Sequence, residues 1–215
     1  MKTPDDYSIS MAYSYKNSKE LARYYDDSAK DYDDFVNSVG YVLPRLVAEK
    51  AAQYLRDSDT VIDIGCGTGL LGIELNSIKD GLCIHGVDVS SWMVLLAYEK
   101  KKANGERHYK KLYHADVDGQ NNITRDHYSF MVSSGTFTTG HLDGKHLSRV
   151  VGLMKKDSFA VFSVKSDHFE QSHFIDDIKE LENNKLIDLI EISEVDSYEN
   201  SGYTALSRIV SIRTK

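Results

Sequence analysis

The chain has 215 residues, enough for one domain with a sizeable core, and its 41% apolar and 27% charged content is that of a globular protein. A formal charge of −7 argues against nucleic acid as the main partner, since that binding rests on Lys and Arg neutralising phosphates. No apolar run approaches the roughly 18 residues of a membrane span, and two cysteines, Cys66 and Cys83, offer neither a metal spacing nor a disulfide framework.

The first 41 residues hold seven of the fourteen tyrosines, Tyr7, Tyr13, Tyr15, Tyr24, Tyr25, Tyr32 and Tyr41. They also hold an acidic cluster of Asp26, Asp27, Asp31, Asp33 and Asp34. This stretch is expected to form one or two short helices that cap a main domain over residues 42–215. The polar start, Met1 to Asp6, has no signal-peptide pattern, and with the two thiols it predicts a reducing, cytoplasmic setting.

Leu43, Leu46, Val47, Ala51, Tyr54 and Leu55 recur at helical spacing, with Pro44 acceptable in the first turn. Thr60 to Ile64 is β-branched and apolar, as in a buried strand. A helix is expected over 68–78, a strand from Leu82 to Val87 and a helix over 91–103. Further strands follow over 107–114, 128–133 and 158–164, with a helix over 143–154 between the last two. Phe174, Ile178 and Leu181 mark another helix, and two strands near 186–195 and 203–213 close the chain. This alternation predicts an α/β fold: a mainly parallel seven-stranded sheet, helices on both faces, and an antiparallel last strand. Ligands in such sheets bind at the carboxyl ends of the strands, where the order reverses. The runs Lys100-Lys101-Lys102 and Lys110-Lys111 read as solvated.

Asp63-Ile64-Gly65-Cys66-Gly67-Thr68-Gly69 joins the first strand to a helix, and its glycines permit a tight turn and close backbone approach to a ligand. Dinucleotide sites share the feature, but their fingerprint wants a further glycine or alanine where this chain has Leu70. A carboxylate at Asp63 would repel a pyrophosphate and attract a cation. That pattern disfavours NAD and suits S-adenosylmethionine, which carries an ammonium and a sulfonium. Asp88 ends the second strand, where a carboxylate can accept from both ribose hydroxyls. Val89 or Met93 is placed to pack on adenine, and Ser90 to cap the next helix. Asp116 and the backbone N–H of Val117, after the third strand, are placed to bind the adenine edge. Three strand ends carrying Asp63, Asp88 and Asp116 are more specific together than any one alone.

The strings VIDIGCGTGLLGIEL, GVDVS and HADV resemble the first three motifs of class I S-adenosylmethionine-dependent methyltransferases. YYDDSAKDYDDF near the start and SSGTFTTGHL after the fourth strand are similar to the small methyltransferase-like proteins of the Williams-Beuren syndrome region. The resemblance implies a Rossmann-like seven-stranded sheet, S-adenosylmethionine as cofactor and S-adenosylhomocysteine as product. The chain departs from family habit at Tyr128-Ser129, where Tyr-Asp is usual. It departs again at Lys155-Lys156-Asp157, where a Pro-Gly turn is usual.

Methyl transfer from an activated sulfonium needs mainly positioning, so no nucleophilic triad is expected. The segment Ser133 to His141 should pass between cofactor and acceptor. Ser133 or Ser134 is placed to accept from the methionine ammonium through its carbonyl, and His141 is the candidate general base or orienting contact. Tyr24 and Tyr32 are the cap residues expected to reach the cofactor. The segment has no proline, which together with the charge points away from nucleic-acid bases and toward a small-molecule acceptor. Other readings are a protein methyltransferase, an NAD-dependent enzyme, and a non-catalytic module that binds S-adenosylmethionine or S-adenosylhomocysteine.

Overall fold

The structure, a computed structural model, describes residues 18–119 and 121–215. The expected cap is therefore seen from Ser18 onward; Tyr7, Tyr13 and Tyr15 lie outside the described residues. What is described of it is a single 21-residue helix, α1 (Ser18–Ser38). Leu21, Ala29, Phe35 and Val36 are buried, and half-buried Tyr25 and Tyr32 join them at spacings of three and four, so one stripe faces inward. The next helix, α2 (Leu43–Ala51), has Pro44 in its first turn. It ends before Tyr54, whose ring stacks on Phe159 at 4.9 Å instead.

Seven strands follow: β1 (Thr60–Ile64), β2 (Cys83–Asp88), β3 (Lys111–His114), β4 (Tyr128–Phe137), β5 (Met154–Lys165), β6 (Ile187–Asp196) and β7 (Leu206–Thr214). Between them lie α3 (Leu70–Ile78), α4 (Ser91–Glu99), a 3-10 turn at Gly144–His146 leading into α5 (Leu147–Val151), α6 (Ser166–Gln171) and α7 (Phe174–Asn183). They form one sheet in the order β3-β2-β1-β4-β5-β7-β6. The first five strands run parallel, and β7 is antiparallel to both β5 and β6.

Several boundaries differ from the sequence-based expectation. The helix expected to reach 103 stops at Glu99, because Lys100 is extended (φ −70, ψ 128). The strand expected from 107 begins at Lys111, because Tyr109 turns its ring into the core beneath α3. The helix expected over 143–154 is split into the 3-10 turn and α5, and β5 already begins at Met154. Asp157 takes a left-handed φ of 58 inside β5, so an aspartate supplies the reversal that a Pro-Gly pair usually makes.

The core has two layers, one on each sheet face. Val61, Ile84, Phe130, Val132 and Val161 pack under α2, α3 and α4. Ile62, Ile64, Met131, Ala160 and Phe162 pack under α5, α6 and α7. Alternate residues of a strand point to opposite faces, so the buried apolar residues of β1 and β4 fill both layers. Each fully buried side chain of this size contributes about 1.5–3 kcal/mol, which fixes the two strands at the centre. The sheet order reverses between β1 and β4, and the crevice at their carboxyl ends is where the site forms.

Candidate active site

A cavity of about 570 Å³ opens at these strand ends. Its floor is Gly65, Gly67, Asp88 and Val89 from the turns after β1 and β2. Met93, Asp116 and Val117 extend it along α4 and the loop after β3. Ser134, Thr136 and His141 come from β4 and the segment after it, and Tyr25, Tyr32 and Leu21 of α1 with Tyr41 close it from above.

The glycine turn has two sides. Gly65 has φ +66, and a Cβ there would sit 2.1 Å from the Thr136 hydroxyl, so only glycine fits. Gly67 has φ +53, and a Cβ there would meet nothing within 4 Å, so this backbone is open to a ligand. Cys66, Thr68 and Gly69 face away from the cavity. Cys66 is buried against Gly86, and burial pushes its thiol well above the ordinary range, so it is packing rather than a reactive group. The Thr68 hydroxyl donates to Asp33 of α1.

Asp63, expected to meet the ligand, does not reach the cavity. Its side chain is fully buried on the α3 side, where the Tyr109 hydroxyl donates to it at 2.6 Å and itself accepts from the Gly72 N–H at 3.0 Å. Burial pushes its pKa up to about 7, with the Tyr109 hydrogen bond pulling down and the Asp88 charge pushing up. Asp63 therefore braces the glycine turn from behind, and the charge facing a ligand comes from elsewhere: Asp88, Asp116, Asp118 and Asp143 all line the cavity.

Asp88 accepts from the Gly67 N–H and the Ser90 N–H, both at 2.9 Å. Burial raises its pKa against these backbone donors. Each carboxylate oxygen can accept a second hydrogen bond, so the group both shapes the turn and retains acceptor capacity. Ser90 caps α4 as expected, accepting from the Met93 N–H at 3.1 Å. Asp116 forms a tight turn with the Asp118 N–H at 2.9 Å. The loop beyond it is held by two residues that sequence reasoning missed. Arg149 of α5 donates to the Val117 carbonyl at 2.8 Å and to the Gly119 carbonyl. Asn121 donates to the carbonyls of Asp116, Val117 and Gly119.

Ser133 is buried with its hydroxyl on the Ile64 carbonyl at 2.7 Å, so Ser134 is the serine on the cavity wall. The Ser134 hydroxyl is buried and has no hydrogen-bond partner among the described residues. On α1 the lining pair is Tyr25 and Tyr32; Tyr24 instead packs edge-on against Tyr25 at 5.4 Å. Seven residues complete about two helical turns, whereas eight overshoot by roughly 80°. His141 accepts or donates at Tyr25 Oη, 2.8 Å away, and burial holds its imidazole below the ordinary pKa.

Two members of the acidic cluster tie α1 to the domain. Asp26 accepts from the Ser90 hydroxyl at 2.6 Å and from the Trp92 N–H at 3.1 Å, a carboxylate at the start of α4. Asp33, one heptad on, holds Thr68 and pairs with Lys100, which also donates to the Thr68 carbonyl at 2.7 Å. Lys100, read as solvated, is thus a fastener between α1 and the glycine turn. Asp26→Ala with Asp33→Ala is expected to loosen α1 so that trypsin cleaves after Arg23 and Lys30, both exposed, about tenfold faster or more. Exposed Asp27→Ala should leave the cleavage rate unchanged.

Residues 45–152, half of the chain, match the family described as Methyltransferase small domain. The chain belongs to that family. It is 39% identical over 88 residues to carboxy-S-adenosyl-L-methionine synthase of Campylobacter curvus, a match covering 36% of this chain and 38% of the relative. It is 34% identical over 89 residues to methyltransferase-like protein 27 of Homo sapiens, covering 40% of this chain and 36% of that one. Proteins named for methylating ribosomal RNA and transfer RNA also match, over 37% and 41% of this chain. The chain spans less than two thirds of the length of the curated relatives it matches first. Among solved structures, magnesium protoporphyrin IX methyltransferase of Synechocystis PCC 6803, solved with bound S-adenosylmethionine, superposes with a TM-score of 0.64 at 17% identity. That superposition covers 94% of this chain and 99% of the other, and it fixes a Rossmann-like methyltransferase fold. Among the described residues, no helix is long and apolar enough to cross a membrane, and no group of three His, Cys, Asp or Glu is placed to hold a metal ion.

Proposed function

We propose that this protein transfers the methyl group of S-adenosylmethionine to a small-molecule acceptor, releasing S-adenosylhomocysteine. The observation that carries the reading is the cavity, whose wall combines an open glycine turn at Gly67, several carboxylates and a buried Ser134 hydroxyl, unpartnered among the described residues, with a roof made by α1. A sulfonium with an ammonium fits a wall in which four aspartates outnumber one lysine, Lys145, better than a pyrophosphate does. In this reading Asp88 accepts from the ribose, Asp116 and the Val117 N–H meet adenine with Val89 and Met93 against its face, and Gly65, Gly67 and Ser134 seat the methionine end. The cofactor supplies an already activated methyl group, so the protein's part is to align the acceptor and exclude water. The roof of tyrosines over the strand ends supports a small acceptor rather than a polymer. The subfamily resemblance to the Williams-Beuren region proteins, and a cytoplasmic setting, belong to the same proposal.

Calorimetric titration with S-adenosylmethionine, S-adenosylhomocysteine and NAD tests it. Binding of the first two and not the third is expected; NAD binding, or no binding of S-adenosylmethionine, overturns it. Arg149→Ala removes a charged donor from two carbonyls of the adenine loop. Affinity for S-adenosylhomocysteine and adenosine should fall about tenfold, and binding of methionine should not change. Equal losses for all three ligands would mean that Arg149 acts only on the general fold.

A further inference from the structure

Among the described residues, those that α1 and Tyr41 contribute to the cavity wall are apolar or phenolic: Leu21, Tyr25, Tyr32 and Tyr41. The carboxylates come from the strand ends and from the segment before α5. His141 stands against the α1 side. Its Nδ1 lies 3.2 Å from the Thr139 carbonyl, which can only accept, so Nδ1 carries the proton and Nε2 of the neutral ring is the acceptor. The group donating to that Nε2, at 2.8 Å, is the phenol of Tyr25, with its ring edge-on to the imidazole at 5.6 Å. The chain thus holds a phenolic hydroxyl on a neutral imidazole inside its own cavity.

We infer that the acceptor is a planar, uncharged hydroxyl compound, a phenol or enol, whose hydroxyl takes the place of Tyr25's on His141 Nε2. This rests on the methyltransferase reading above. The acceptor O–H bond breaks and its proton passes to Nε2. The oxygen forms the new bond to the methyl carbon, the carbon–sulfur bond breaks, and its electron pair stays on sulfur. The products are an aryl or enol methyl ether and S-adenosylhomocysteine, and the imidazolium then loses its proton to solvent. Burial, which disfavours the charged imidazole, keeps the ring in its basic form before the acceptor arrives.

The test uses 2-naphthol as probe, with naphthalene and 2-naphthylamine as comparisons. Binding is read by naphthol fluorescence with S-adenosylhomocysteine present, and methylation by mass with S-adenosylmethionine. Naphthol is expected to bind at least tenfold tighter than naphthalene and to yield 2-methoxynaphthalene faster than the amine is methylated. Tyr25→Phe removes the competing hydroxyl and should tighten naphthol binding by about threefold. His141→Ala and His141→Asn should weaken naphthol binding about tenfold and slow methylation about 100-fold, with cofactor affinity held within threefold. Preference for the amine, binding no tighter than naphthalene, or naphthol affinity indifferent to His141 each overturns the inference. If S-adenosylmethionine itself fails to bind, the underlying methyltransferase reading falls instead.

Discussion

Asp88→Ala is expected to lower affinity for S-adenosylmethionine by 100-fold or more. The carboxylate is the acceptor for two backbone N–H groups, of Gly67 and Ser90, that set the turns on either side of the cavity floor. In the proposed complex it also takes the ribose hydroxyls. Hydrogen bonds to charged groups are worth about 1.5–3 kcal/mol each, and tenfold in affinity is about 1.4 kcal/mol, so losing two of them reaches that size. Asp88→Asn keeps one acceptor oxygen and should lose about tenfold. Calorimetry of both variants checks the order; an Ala variant binding like wild type would remove Asp88 from the ligand seat.

The second large effect is a pH dependence of stability centred on Asp63. Its pKa is pushed up to about 7 in the folded chain, chiefly by burial, and an unfolded aspartate titrates near 3.9. Between those values the folded state holds a proton that the unfolded state has released. Stability from this group is therefore full below about pH 4 and is lost as pH rises to about 7, by about 1.4 kcal/mol per unit and about 4 kcal/mol in all. Above that range the loss is complete. Asp63→Asn stays neutral throughout, so the gap between wild type and variant should widen from pH 5 to 7 and level off by about pH 8. Denaturant titrations at each pH measure it. Parallel curves would mean that the carboxyl is ionised in its buried site.

Asp63 also illustrates what a sequence can disclose. The glycine turn, the strand before it and the Ser90 cap were legible because each is local: a β-branched run, positions that tolerate only glycine, and a serine ahead of an apolar stretch. The seven-stranded sheet followed from the alternation of such segments. Which way Asp63 points was not local. Val61 and Asp63 share one face of β1, and that face carries the α3 layer, whereas Ile62 and Ile64 share the other. Knowing that the face is covered by Tyr109, 46 residues away, requires the fold. Tyr25 was recoverable from the sequence, because it stands one heptad before Tyr32; pairing Tyr24 with Tyr32 used a spacing of eight. Lys100 and Arg149 were not recoverable, since their partners, Asp33 and the carbonyls of Val117 and Gly119, are distant in the chain.

Two of the five aspartates of α1 fasten the roof to the same turns that form the floor: Asp26 to the one after β2, Asp33 to the one after β1. The roof is thus tied to the floor by the chain's own hydrogen bonds, and lifting α1 off the cavity requires those bonds to open first. Because one of them is the ion pair of Asp33 with partly exposed Lys100, dissolved salt, which weakens such pairs, slackens the tie between roof and floor.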